Sequence, residues 1–227
     1  MSISRILICA ATLPELMTFP IEADVFQQDT TRFHTELYDL LLTGVGIPAT
    51  LVSSMNALNS LTPAMVVNIG IAGAYPASGY AIGDVVTGQT DVYGDIGMEL
   101  PDEPNFMPLR DSPFGKQDHL QPFKLAHLSA SPEHEAMYRV HAGKGCTVNA
   151  CTGTVRTGNL RAMVFEADFE TMEGAAVAHV CALKGVPCCE IRAISNMASH
   201  RDMQPANIRT ALDNLRHYLL TVQFDAL

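Results

Sequence analysis

The chain has 227 residues, 48% of them hydrophobic, which is enough for one α/β domain with a sizeable core and excludes a disordered chain. Fourteen Lys and Arg against 24 Asp and Glu leave a formal charge of −10. No basic cluster offsets it, so nucleic-acid backbones and membrane surfaces are excluded as partners.

The six cysteines form no C-x-x-C pair and sit mostly in apolar runs, which fits buried, reduced thiols and supports neither a disulfide framework nor a metal site. Arg5 interrupts the opening segment, so no signal peptide is expected. No run approaches the roughly 20 apolar residues of a membrane span, and a cytoplasmic protein is expected.

RILICAA (5–11) predicts a buried first strand. In the TLPEL that follows, Thr12 and Glu15 have the spacing of a capping box. FHTELYDLLLTGVG (33–46) reads as one or two strands closing on a Gly-rich turn, after which Pro48 suits the first turn of a helix running to about residue 60. Residues 64–75 form a second buried strand running into glycines, and 82–95 a strand with polar alternation.

Segment 95–125 contains five of the 13 prolines and reads as an irregular excursion of the kind that covers a site. Residues 145–158, dense in Thr, read as β-rich. Residues 172–184 predict a helix stopped by Gly185, with Pro187 beyond, and CCEIRAIS (188–195) a strand. Ile208, Leu212, Leu215, Leu219 and Val222 mark one face of a closing amphipathic helix.

Alternating strands and helices without repeat or linker predict one domain over 1–227, built on a mixed α/β sheet covered on both faces. Ligands of such sheets collect beyond the carboxyl ends of the strands. The glycine turns, Glu15, Glu173 and Asn196 all fall there. Each also has a purely local explanation. Glu15 completes a capping box, Glu173 favours a helix N-terminus, and Asn196 turns the chain after its strand.

Taken together, the motifs resemble a family. ETMEGAAVAHVCALKGVPCCEIRAISN (170–196) resembles the signature of the purine nucleoside phosphorylase and nucleosidase superfamily, especially its methylthioadenosine/S-adenosylhomocysteine nucleosidase branch. RILICAATLPEL, TGVGIPAT and VNIGIAGAYPASGYAIGDVV resemble the other blocks, in the same order. The resemblance implies a three-layer αβα fold with a partly barrel-closed mixed sheet, a homodimer or higher homo-oligomer, a small nucleoside as substrate, and no cofactor or metal.

It further implies that Met172 and Glu173 lie beneath the ribose, with Glu173 on its 2′-hydroxyl, and that Glu15 activates a water. Substrate contacts are implied at Ile71, Ala72, Gly73, Thr152, Gly153, Thr154 and Ser195. Where phosphorylases present phosphate-binding Arg and Ser/Thr, this chain has Asn68 and Ile71, so the resemblance implies hydrolysis.

Adenine-cleaving nucleosidases end the Ile-Ser strand in Asp; here the residue is Asn196. An amide both donates and accepts, which suits a 6-oxopurine. A hydrolase of this branch reading a 6-oxopurine resembles the futalosine hydrolase family, whose members release hypoxanthine in a bacterial menaquinone route. Futalosine carries a carboxyphenyl ketone at its 5′ end, and Phe106, Met107, Arg110 and Phe114 of the 95–125 excursion are candidates to line its pocket. The competing readings are an adenine-selective methylthioadenosine or aminofutalosine nucleosidase, a phosphorylase, and a non-catalytic nucleoside-binding protein.

Overall fold

The computed structural model describes residues 5–27, 30–102, 105–128, 138–200, 202–222 and 224. Strand β1 (Ile6–Ala10) lies between β3 (Tyr38–Leu42) and β4 (Met65–Ala74), parallel to both, and all five of its residues are buried. Its alternate side chains serve two cores, as a strand covered on both faces must. Ile6, Ile8 and Ala10 join Leu215 and Tyr218 of the last helix, while Leu7 and Cys9 join Ala57 and Val177 of two others. Three layers result.

The full sheet also contains β2 (Arg32–His34), β5 (Val85–Tyr93), β8 (Phe123–Lys124), β9 (Val140–Thr147), β10 (Phe169–Thr171) and β11 (Cys188–Met197). The lower part of β4 pairs with β1, but Gly73 and Ala74 at its upper end pair with β10. Because β10 also pairs with β9, β9 with β5, β5 with β11 and β11 with β4, these strands close into a five-stranded ring. The expected partly barrel-closed mixed sheet is present.

Of the helices, α1 (Leu13–Leu16) is a single turn after β1. α2 (Ile47–Ser60) begins as Pro48 predicts, with Gly46 at its N-cap. α4 (Gly174–Lys184) packs its alanines against α2 and ends at Gly185, which takes the left-handed φ of +67°. α5 (Pro205–Leu219) closes the other face. Among the described residues no helix is long and apolar enough to cross a membrane, and Cys9, Cys146, Cys181, Cys188 and Cys189 are buried free thiols.

Two expectations need correction. The β-rich reading of 145–158 holds only to Thr147. After a short loop, Thr154 caps a helix, α3 (Val155–Phe165), by accepting from the Thr157 N–H at 3.1 Å. β-Branched threonines favour strands, but a Thr hydroxyl at an N-cap satisfies an orphan donor, and here the cap wins. Segment 95–125, in which 103 and 104 lie outside the described residues, is more ordered than an irregular excursion. It contains the hairpin β6 (Gly97–Glu99) with β7 (Phe106–Pro108), two short 3-10 turns and β8.

The cap gives a direct check. Thr154→Ala is expected to lower stability by about 1 kcal/mol, read from denaturant unfolding. No change in the midpoint contradicts the capping assignment.

Candidate active site

A cavity of about 360 Å³ opens at the carboxyl ends of β1, β4 and β11. Its wall carries Glu15, Ile71, Ala72, Gly73, Met172, Glu173, Ser195 and Asn196, so these eight predicted residues are brought together. Thr152, Gly153 and Thr154 are not on the wall. Thr152 is buried behind it, bonded to Glu170, Gly153 is exposed, and Thr154 is spent on its cap. Phe106, Met107, Arg110 and Phe114 are also absent from the wall. The Arg110 guanidinium donates to the Val164 carbonyl and lies 5.6 Å from the Phe165 ring centre, and Phe114 is exposed.

Glu15 sits in the one turn of α1. Oε2 accepts from the Thr12 N–H at 3.1 Å and the Thr12 hydroxyl at 2.6 Å, while Oε1 accepts from the Ile71 N–H at 3.0 Å. The capping box is therefore real, and the same bonds fix the carboxylate at the cavity wall. Capping and presentation are one arrangement.

Glu173 ends the chain's run from β10 into α4. Its Oε1 accepts from the Gly46 N–H at 2.9 Å. Gly46 has a φ of +88°, a left-handed value that residues with a Cβ resist, and this aims its N–H across at the carboxylate. Burial pushes the Glu173 carboxyl above its ordinary value. Arg192 and the Gly46 bond counter that push, and the nearby Glu15 adds to it.

Arg192, on β11, has no exposed surface. Its Nε donates to Glu190 Oε1 at 2.9 Å, but Nη1 and Nη2 find no hydrogen-bond partner among the described residues. A Cβ on Gly70 would collide with Arg192 Nη1 and Glu15 Oε1, so the guanidinium and that carboxylate converge on the bare backbone of β4. Burial works against the Arg192 charge, but Glu190, Glu173 and Glu15 together raise its pKa overall.

Behind this group, burial and then the Glu190 carboxylate push Asp91 well above the usual carboxylate range, favouring a protonated Asp91 beside Glu190. Thr147 links Asp91 to the start of α4: its hydroxyl donates to Asp91 Oδ1 and accepts from the Ala175 N–H.

Asn196 follows an irregularity in β11 that aligns it with Gly73 of β4. Its Nδ2 donates to the Met197 carbonyl at 3.1 Å, and the Ser195 hydroxyl donates to its Oδ1 at 3.0 Å. Each amide end keeps unused capacity, a second N–H and a second lone pair, for a ligand. Val45, Met203, Ile208 and Leu212 make one part of the wall apolar, and no described residue on the wall is Lys or Arg.

Residues 10–223 match the family described as the Phosphorylase superfamily. The chain belongs to this superfamily. Among its relatives, futalosine hydrolase of Streptomyces coelicolor is 35% identical over 182 residues, 77% of this chain and 74% of that one. A 5′-methylthioadenosine/S-adenosylhomocysteine nucleosidase of Actinobacillus succinogenes is 30% identical over 69% of this chain and 66% of its own. The native structure of futalosine hydrolase of Helicobacter pylori has the same fold, with a TM-score of 0.74 at 18% identity, covering 96% of this chain and 97% of that one.

Within this superfamily member, the sequence reading missed Arg192, Glu190 and Glu170. The available signal was a charged residue inside an otherwise apolar strand, where a charge survives only with a partner. Arg192→Met is expected to cost about 3–5 kcal/mol of stability, because it strands the carboxylates gathered around the guanidinium. The check is the unfolding midpoint, and a wild-type value contradicts the cluster's role.

Proposed function

We propose that the protein is a futalosine hydrolase, cleaving the N-glycosidic bond of a 6-oxopurine nucleoside with water to release hypoxanthine and dehypoxanthinyl futalosine. The observation that carries this reading is the Asn196 amide, with a donor and an acceptor to spare, on the wall of a cavity that also presents two buried carboxylates. The relatives named futalosine hydrolase support it.

In this mechanism the ribose lies over Met172, and Glu173 accepts from its 2′-hydroxyl. Held by Gly46, the carboxylate stabilises the positive charge that develops at the anomeric carbon. Glu15 takes a proton from the attacking water, whose oxygen bonds to that carbon as the bond to the base breaks. Arg192 stands beside both carboxylates and limits their mutual repulsion. The leaving hypoxanthine takes up a proton at N7 from solvent, and Glu15 releases to solvent the proton it took from the water. Asn196 Nδ2 donates to O6 while Oδ1 accepts from N7–H, so the amide meets the base as its charge changes.

The absence of Lys and Arg from the described wall, beside the Glu15 carboxylate, disfavours phosphate as the nucleophile. Val45, Met203, Ile208 and Leu212 supply an apolar slot for the aryl group at the 5′ end. The same reading includes a homodimer or higher homo-oligomer, in which a second copy covers the exposed Val45 at the cavity rim. Sedimentation as a monomer at assay concentration contradicts that part.

The decisive assay offers purified protein futalosine, inosine and methylthioadenosine and measures free base. Futalosine is expected to be the preferred substrate, and preferential release of adenine from methylthioadenosine overturns the assignment. Asn196→Asp is expected to shift the kcat/KM ratio of futalosine to aminofutalosine by roughly 10- to 100-fold toward the 6-amino substrate. An unchanged ratio means that Asn196 does not touch the base.

Glu15→Gln and Glu173→Gln are each expected to lower kcat by roughly 10²- to 10⁴-fold in folded protein. The raised Glu173 pKa sets the sign of the pH effect. Its working form is the carboxylate, so kcat/KM is expected to fall on acidification through a pKa above 4.5, the ordinary glutamate value. A carboxyl whose pKa rises on folding also costs stability as pH climbs past its unfolded value. Glu173→Gln removes that cost and is expected not to lower the neutral-pH melting temperature. Near-normal turnover in either variant returns that residue to a purely structural role.

A further inference from the structure

Glu170 lies on the cavity wall, yet its carboxylate has no part in the mechanism above. It is 6% exposed and is held from behind. Oε2 accepts from the Thr152 hydroxyl, from the Tyr75 hydroxyl at 3.1 Å and from Arg161 Nη1 at 3.0 Å. Among the described residues Oε1 accepts only from the Thr152 N–H, at 2.7 Å, and so retains a lone pair. The Arg161 guanidinium is itself fixed by the Ala150 carbonyl at 2.9 Å and the Thr152 hydroxyl at 2.8 Å. Three elements, α3, the 148–154 loop and the turn after β4, are thus spent on holding one carboxylate at the cavity edge.

Sheet register says where that edge is. Gly73 of β4 pairs with Glu170 of β10 on one side and with Asn196 of β11 on the other. Residues directly paired across adjacent strands project to the same face. Glu170 and Asn196 therefore stand on one face, two strand spacings or about 10 Å apart at their Cα atoms. The residue between them has no side chain, and a Cβ on Gly73 would lie 3.1 Å from Asn196 Nδ2. The result is a slot floored by bare backbone and flanked by an amide and an acceptor-only carboxylate. A planar base fits such a slot.

We infer that Glu170 is a specificity-determining residue that accepts a hydrogen bond from N1–H of a 6-oxopurine, reading the ring position next to the O6 engaged by Asn196. This rests on the proposed hydrolase reading. A 6-oxopurine carries a hydrogen on N1, whereas a 6-aminopurine presents a lone pair there. A carboxylate can only accept, so it pairs with the first and repels the second. Asn196 engages only O6 and N7 and leaves N1 unread. Glu170 has no donor to offer, since its carboxylate is in ion pair with Arg161. The choice of base is then made by both groups, Asn196 at O6 and N7 and Glu170 at N1.

The test compares wild type with Glu170→Gln, whose amide can donate to or accept from N1. The variant is expected to shift the kcat/KM ratio of futalosine to aminofutalosine at least ~10-fold toward the 6-amino substrate. A residue that merely supports the wall would move both substrates in parallel, so an unchanged ratio in folded enzyme overturns the inference. A second measurement needs no mutation: calorimetric binding of hypoxanthine, 1-deazahypoxanthine and adenine to wild type. Replacing N1–H by C–H is expected to weaken binding at least ~10-fold, and equal affinities for hypoxanthine and its 1-deaza analogue overturn the inference even if the variant does not fold. Failure of the function itself looks different, as a wild type that releases no hypoxanthine from futalosine.

Discussion

A single guanidinium buried among carboxylates is the constraint on which the site depends. Arg192 is fully enclosed, with Glu190 bonded to it and Glu15 and Glu173 close enough to raise its pKa. Enclosing an unpaired charge is costly, so the cation and the anions have to be buried together. The arrangement dictates the backbone around it. Gly70 has to be bare for Arg192 and Glu15 to converge on β4, and Gly46 has to adopt a positive φ for its N–H to reach Glu173. Burial and the neighbouring Glu190 raise the Asp91 pKa, which works against a further negative charge in the cluster.

Closure of the sheet places this cluster under a cavity. β4 gives its lower half to β1 and its upper end to β10, and that switch turns an open sheet into a ring. It also brings Glu15 after β1, Glu173 after β10 and Asn196 at the end of β11 to one rim. None of these residues is near another in sequence. The raised Glu173 pKa is chiefly the cost of burying its carboxylate, and the nearby Glu15 adds to it. A carboxylate-lined wall, on which no described residue is Lys or Arg, suits water better than phosphate.

Much of the site was legible because its residues sit at junctions. Glu15, Glu173 and Asn196 each stand where a strand gives way to another element, and the strand–helix pattern is readable from apolar periodicity and glycine or proline punctuation. The family resemblance implies substrate contacts at Thr152, Gly153 and Thr154, whereas the short loop and the cap of α3 leave them off the described wall. Arg110 and Phe106 suit the substrate chemically, but tertiary packing sends them against Phe165 instead, and Phe114 is exposed. Glu170, Glu190 and Arg192 were hidden for the opposite reason. Each lies inside a buried strand, and their partners, Arg161 for Glu170 and the Glu15 and Glu173 carboxylates for Arg192, come from other segments of the chain.

The central claim is that this carboxylate-lined cavity delivers water to a 6-oxopurine nucleoside. It is tested most directly by turning over futalosine in ¹⁸O-labelled water, with and without inorganic phosphate, and analysing the sugar product by mass spectrometry. The account predicts one ¹⁸O atom at the anomeric carbon, hypoxanthine as the free base, and a rate unaffected by phosphate. A sugar 1-phosphate lacking the label, formed at a rate that rises with phosphate, would contradict it.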